Sequence, residues 1–164
     1  MFRLKNSIIF FLILIFLNNC GYTPRYAENK NVNFTIDIVE LSGDRDFNNF
    51  IKSKLKRYSK DKDNDNDFKK KNYNIKVTTN YDKNISSKDA AGLTKEYELS
   101  ITVDFFIMGK SIEKKEIAEE VSFKENFTMQ KMSDSFEEQD YEKIIKENFS
   151  DIIIDRLIFY LYKI

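Results

Sequence analysis

Four stretches of the chain alternate apolar and polar residues with a period of two, which is typical of strands that bury one face. They cover residues 32–39, 73–81, 97–107 and about 111–127. In each stretch the apolar residues share one side and the polar residues share the other. The pattern therefore predicts four strands, each covered on one side only.

Two further stretches repeat apolar residues at every third or fourth position, as amphipathic helices do. The first spans residues 47–58 and follows Asp44, a predicted N-cap. The second spans residues 136–162 and would be about 40 Å long at 1.5 Å per residue. Ser135, with Glu138 three residues later, has the spacing of a capping box and predicts the start of this helix.

The connections between these elements are polar. Residues 59–72 and 82–92 are predicted loops, and Met108-Gly109-Lys110 is a predicted tight turn. Alternating aspartates at 61–67 resemble the start of a calcium loop. The glycine and glutamate that such a loop needs at its sixth and twelfth positions are replaced by Asn66 and Asn72. We therefore predict a solvated loop there and no metal.

The order strand-helix-strand-strand-strand-helix predicts an α/β (α+β) two-layer sandwich. Its four-stranded mixed sheet carries two helices on one face. The first helix should connect parallel strands one and two, and strands three and four should form an antiparallel hairpin. The opposite face of the sheet, with Thr, Asn, Asp, Glu and Lys, is expected to be solvated or to meet a polar partner.

The beginning of the chain has the pattern of an export signal. Arg3 and Lys5 precede an unbroken apolar run at 8–17, which is too short for a membrane span of about 20 residues but suits a cleavable leader. Cys20 stands where the cut would fall, which resembles the lipobox of bacterial lipoproteins. We predict a leader at 1–19, a tether at 20–31 and one domain at 32–164, the alternative being an uncleaved apolar anchor.

Composition narrows the possible functions. The chain has no histidine, so the commonest general base and metal ligand is missing, and its four scattered glycines form no phosphate loop. The leader holds two basic residues and no acidic one, so the mature chain would carry a net charge of −2. Nucleic-acid binding would need a basic excess. We predict a protein that is not an enzyme, with no cofactor and no nucleic-acid partner.

Three local pieces occur in a recognisable order: Cys20-Gly21-Tyr22 at the start, the strand at 97–107, and Asp155-Arg156-Leu157 in the last helix. With the order of elements, they resemble the LPS-assembly lipoprotein family, LptE. Asn19 departs from the small residue usual before the lipobox cysteine. The resemblance implies that Cys20 is lipidated, with fatty acyl chains such as palmitate. It also implies a location on the periplasmic side of the outer membrane of a Gram-negative cell.

The same resemblance implies a plug and assembly partner for the LptD β-barrel that contacts lipopolysaccharide on its way to the outer leaflet. Lys110, Lys114 and Lys115 at the predicted hairpin tip are candidate contacts for its phosphates, although charged runs are often only solvated. A second basic group lies on the first helix: Lys52, Lys54, Lys56 and Arg57. The alternatives are a stand-alone periplasmic lipoprotein that binds a ligand or peptide, and an accessory subunit of another envelope export complex.

Overall fold

A single four-stranded mixed sheet organises the structure, a computed structural model that describes residues 32–59, 71–110 and 116–164. Its strands are β1 (Phe34–Gly43), β2 (Lys71–Lys88), β3 (Thr94–Lys110) and β4 (Glu116–Gln130). They lie side by side in the order β1-β2-β3-β4. β1 is parallel to β2, and the two other pairings are antiparallel. The predicted α+β sandwich and its element order are confirmed.

Two helices accompany the sheet: α1 (Arg45–Leu55), which continues as a 3₁₀ turn over Lys56–Tyr58, and α2 (Ser135–Lys163). Asp44 caps α1 as predicted, because its Oδ1 accepts a hydrogen bond of 2.7 Å from the Phe47 N–H.

The predicted capping box of α2 is wrong. The N-cap is Asp134, whose Oδ1 accepts hydrogen bonds from the N–H groups of Phe136 (2.7 Å) and Glu137 (3.2 Å). Glu138 accepts from the Met132 N–H, two residues before the N-cap, and not from Ser135. An aspartate one residue before the expected cap satisfies the first turn, so Glu138 is left for other partners.

Alternation along the strands produces the core. The alternating apolar positions at 73–77 in β2 and 99–107 in β3 are almost completely buried, and they join the buried faces of α1 and α2 in one cluster. Ile75, Leu99, Ile101, Phe105 and Ile107 have no exposed surface. Each fully buried aliphatic or aromatic side chain contributes about 1.5–3 kcal/mol through removal of apolar surface from water. The core therefore lies between one sheet face and the two helices.

Two predicted connections are wrong. Residues 82–88 belong to β2 and pair with β3 as far as Lys88 opposite Thr94, because this polar stretch finds its partners in the facing strand and in α2. β3 also continues through Lys110, so Met108-Gly109-Lys110 is strand and the chain reverses later. Residues 111–115, which connect β3 to β4, lie outside the described residues. β4 then extends beyond the predicted end, to Gln130.

The pairing of β1 with β2 ends at Gly43 opposite Thr79. Gly43 has a φ of +99°, and a Cβ placed on it would lie 1.8 Å from the backbone oxygen of Thr79. Only glycine adopts this conformation at so close an approach without strain. From residue 80 onward the outer edge of β2 has no partner among the described strands.

The apolar surface of α2 is wider than the part of it that packs against the rest of the domain. Several residues of the predicted stripe are exposed, and two more large apolar residues near the end of the helix are exposed with them. We call the following five residues the α2 stripe: Tyr141, Ile144, Ile152, Phe159 and Tyr162. Phe136 is exposed as well. The outer surface of this helix is therefore partly apolar.

Candidate functional site

No described helix covers the second face of the sheet, and polar side chains fill most of it. One cross-strand row runs Asn80-Thr102-Lys124, and the next runs Thr78-Asp104-Ser122. At the β1 end Lys76 forms an ion pair of 3.1 Å with Glu40. This open face confirms the one-sided sandwich and presents mixed charges and hydrogen-bonding groups to whatever lies against it.

One part of the open face is apolar. Phe106, Met108 and Ala118 line a groove of about 630 Å³ where β3 ends, with Asn72 and Asn74 at its side. This groove was not predicted from the sequence. The available signal was the unbroken apolar run at 105–108, where Phe106 and Met108 replace the polar residues that alternation requires.

A network of charged residues connects the start of α2 to the part of the sheet that extends beyond β1. We call it the polar clasp: Tyr81, Lys83, Lys131, Glu138 and Glu142. Lys83 Nζ donates to Glu138 Oε1 at 3.0 Å and to Glu142 Oε2 at 2.8 Å. Lys131 Nζ donates to Glu138 Oε2 at 2.7 Å, and the Tyr81 hydroxyl donates to Glu142 Oε1 at 2.7 Å.

The clasp perturbs the acidity of its members. Burial alone would raise the pKa of the Glu138 carboxyl. Hydrogen bonds from Lys131, Lys83 and the Met132 N–H outweigh that effect and lower the pKa from 4.5 to about 2. The same contacts with Glu142 and Glu138 raise the pKa of Lys83 against the opposing effect of burial. Glu138 is only 7% exposed, so its charge depends on these partners.

We expect Glu138→Gln to lower the free energy of unfolding by about 1.5–3 kcal/mol near neutral pH, because charge-assisted hydrogen bonds are lost. The depressed pKa gives this contribution a definite pH window. It is fully present above the unfolded pKa near 4.5 and disappears as pH falls through the folded pKa of about 2. Urea unfolding of both proteins between pH 7 and 2 measures the difference. Glu137→Gln, an exposed neighbour, is the matched control, and a difference that stays constant down to pH 2 would contradict this account.

Comparison with known proteins gives a fold and no sequence relative. No family model matches the chain, and no curated protein matches it. Among solved structures, the rare lipoprotein B from Shewanella oneidensis is 18% identical and superposes with a TM-score of 0.52. The match covers 77% of this chain and 96% of that one.

The chain has the fold of rare lipoprotein B. Rare lipoprotein B is LptE, and at 18% identity the likeness between the two chains is one of fold. A minor lipoprotein from Acinetobacter baumannii is 19% identical, with a TM-score of 0.45 over 73% of this chain and 90% of that one. A lipoprotein B from Nitrosomonas europaea is 15% identical, with a TM-score of 0.46 over 80% of this chain and 88% of that one.

The predicted site residues are mostly beyond the described residues. Cys20, Lys114 and Lys115 lie outside them, and Lys110 is placed by its backbone alone, opposite Glu116 at the end of β3. Their roles stay predictions. On α1, Lys54 forms an ion pair with Asp151 of α2, which ties the two helices together. Lys52 is exposed on α1, and Lys56 is exposed in the 3₁₀ turn that follows it.

In residues 32–59, 71–110 and 116–164, no group of three or more His, Cys, Asp or Glu side chains is arranged to hold a metal ion. In the same ranges, neither helix combines the length and apolar character required to cross a membrane.

Proposed function

We propose that this protein is an outer-membrane lipoprotein that plugs the LptD β-barrel and assists its assembly. In this role it contacts lipopolysaccharide during transport to the outer leaflet. The observation that carries the proposal is the shared fold with rare lipoprotein B over 96% of that chain, together with a cysteine at a predicted leader cleavage site.

The predicted lipid anchor would hold the domain where a barrel is assembled. A cysteine that carries several acyl chains binds a membrane stably at about 0.8 kcal/mol per buried methylene, whereas a single chain is marginal. The predicted tether at 20–31 would separate the lipid from β1, which begins at Phe34. Anchoring on the periplasmic side raises the concentration of the domain next to its partner.

The open face suits a partner with a polar wall. The lumens of transmembrane barrels are polar, and this face presents rows such as Asn80-Thr102-Lys124. The predicted net charge of the mature chain is close to zero. A lumen of either charge would therefore not repel the domain strongly. Hydrogen bonds and complementary charges between this face and the barrel wall would fix how the two surfaces align and would exclude other partners.

The anchor is tested with Cys20→Ser in the full chain. Wild-type protein should incorporate labelled palmitate and sediment with outer membranes, while the variant should lose the label and the sedimentation. A control variant, Ser42→Ala, changes an exposed hydroxyl of the folded domain and should behave as wild type. Equal membrane association of wild type and Cys20→Ser, without label in either, would refute lipidation.

The barrel partnership is tested by placing a photoreactive residue at Lys76 or Thr102 on the open face and irradiating intact cells. We expect a crosslinked product with a large outer-membrane barrel, and depletion of the protein should reduce surface lipopolysaccharide. The parent chain without the photoreactive residue is the control. Products with soluble periplasmic proteins alone, and unchanged surface lipopolysaccharide, would reject the proposal.

The groove beside Phe106 favours the second candidate, a periplasmic lipoprotein that binds a small amphipathic ligand. Its apolar floor and flanking asparagines combine the two features that ligand sites share. Met108→Lys should abolish ligand binding under this candidate. It should leave the barrel crosslink from Thr102 intact if the first proposal holds, so the two functions are separable.

A further inference from the structure

Strand β2 is longer than the neighbour that covers its outer edge. β1 pairs with β2 only as far as Gly43 opposite Thr79, whereas β2 continues beside β3 to Lys88. The register of β2 with β3 has no shift before Ile85, where a bulge begins. We call residues 80–85 the free edge of β2. Among the described strands, only β3 pairs with this stretch.

The direction of the backbone groups along the free edge follows from the hydrogen bonds to β1. The Lys71 N–H donates to the carbonyl of the residue before β1 at 3.1 Å, and the Thr79 carbonyl accepts from the Asp44 N–H at 3.3 Å. Odd-numbered positions of β2 therefore direct their N–H and C=O groups toward β1, and even-numbered positions direct them toward β3. Tyr81 and Lys83 continue this alternation beyond the end of β1. Their backbone groups point outward and can accept a further strand.

The free edge is held in place from the helix side. Edge strands often avoid pairing with other chains through an inward-pointing charge or a bulge. Lys83 is such a charge, but Glu138 and Glu142 of α2 bind its ammonium group, so it is neutralised within the domain. The bulge begins at Ile85 and therefore ends the free edge without interrupting it. The free edge is thus fixed in an extended conformation that can accept a partner.

A cleft of about 600 Å³ opens on the helix side, between the start of α1 and the N-terminal half of α2. Glu142 and Lys146 line this cleft, and both contact Tyr81 of the free edge. The Tyr81 hydroxyl donates to Glu142 Oε1, and Lys146 Nζ lies 3.8 Å from the centre of the Tyr81 ring. The cleft therefore adjoins the free edge, and the side chains of an added strand can reach it.

The exposed charges around the free edge are mainly acidic. Asp82 is exposed on the open face of the free edge, and Asp46 and Asp140 are exposed where they line the cleft. Lys143 is the exposed positive charge of the cleft, and the two other charged residues that line it form ion pairs within the domain. Because opposite charges on neighbouring strands stabilise their pairing, the free edge favours a strand with Lys or Arg beside Asp82.

We propose that the free edge of β2 accepts an extended segment of a partner protein as an added strand, with a basic side chain of that segment beside Asp82. Hydrogen bonds from the backbone groups of Tyr81 and Lys83 supply affinity, and the acidic surroundings and the cleft select the segment. The added strand lies in line with β1 and ends at Gly43. The inference concerns the mode of binding, so it does not depend on the barrel partnership, which the crosslink from Thr102 tests separately.

Amide hydrogen exchange resolved to single residues tests the added strand. The full chain made by cell-free synthesis in detergent, with no partner present, is compared with the same chain in native membranes. We expect the exchange of the Tyr81 and Lys83 N–H groups to be slower by about tenfold or more in membranes, because a hydrogen-bonded amide exchanges only when its bond opens. The N–H groups of Asp82 and Asn84 face β3 in both samples and should change little. An added strand protects alternate residues in this way, whereas a general covering of the surface does not.

A charge reversal tests the chemistry of the partner. Asp82→Lys should remove the protection of the Lys83 N–H in native membranes, because like charges then lie side by side. Glu98→Lys is the matched control, since Glu98 is also an exposed acid of the open face but lies on β3, opposite Asn84. It should leave the protection intact. Far-ultraviolet circular dichroism of the purified variants checks that both are folded.

Three results would overturn the proposal. The first is the same exchange rate at Tyr81 and Lys83 with and without membranes. The second is equal slowing at Tyr81, Asp82, Lys83 and Asn84, which would indicate a general covering. The third is an equal loss of protection in the Asp82→Lys and Glu98→Lys variants.

Discussion

Replacing Phe105 with alanine is expected to lower the free energy of unfolding by about 3–5 kcal/mol, the usual cost of truncating a large buried aromatic residue. Phe105 lies in the middle of β3 with no exposed surface, and its ring packs 6.0 Å from that of Phe123. A cavity in the layer between sheet and helices would leave few neighbours able to fill it. Urea unfolding followed by circular dichroism measures the change.

Phe106 provides the matched control, because it is the next residue and lies on the opposite face of the same strand. It is 39% exposed on the open face, so we expect Phe106→Ala to cost about 1 kcal/mol or less. The comparison holds chemistry and strand position nearly constant and changes only burial. Similar losses for both variants would mean that the second face is also covered in the folded protein.

Replacing Gly43 with alanine is expected to destabilise the protein by about 3 kcal/mol through strain and displaced backbone. Its φ of +99° disfavours any side chain, and a new Cβ would collide with the Thr79 oxygen at 1.8 Å. That oxygen accepts a hydrogen bond of 3.3 Å from the Asp44 N–H. Relief of the collision would therefore disturb both the end of β1 and the residue that caps α1. Thermal and urea unfolding report the loss.

A substitution at Gly92 separates the effect of backbone strain from the effect of the collision with Thr79. It has a φ of +83° but nothing within 4 Å of a Cβ placed on it. Gly92→Ala should cost only the conformational strain of a left-handed residue, about 1–2 kcal/mol. If Gly43→Ala proved no more damaging than Gly92→Ala, the close approach to Thr79 would have no energetic consequence.

The strands of the sheet were predictable where alternation and burial agree. From Tyr97 to Ile107 every second residue is apolar, and the structure buries those positions against the helices. Asp44 was predictable as a cap because the side chain and the N–H that it accepts from lie three residues apart. In both cases the information is contained within a few neighbouring residues.

The remaining features of the fold and of the site depend on contacts between residues that are distant in the chain. Asp82, Lys83 and Asn84 have the composition of a loop, yet they are strand, because β3 pairs with them and α2 supplies carboxylates. Lys83 meets Glu138 across 55 residues, and no local pattern indicates such a contact. The periodicity of α2 likewise shows which residues are apolar. How much of that surface the sheet covers depends on the position of the helix above β4.

The parallel pairing of β1 with β2 has a consequence for the order in which the molecule acquires its structure. Phe34 pairs with Lys71, 37 residues away, while β3 and β4 meet across a short reversal. Closing the longer loop costs more chain entropy. We expect β1 to dock after the rate-limiting barrier, with φ-values near zero at Ile36 and clearly higher at Val103. A chain synthesised from its N-terminus would then complete its core only after its last helix has been released.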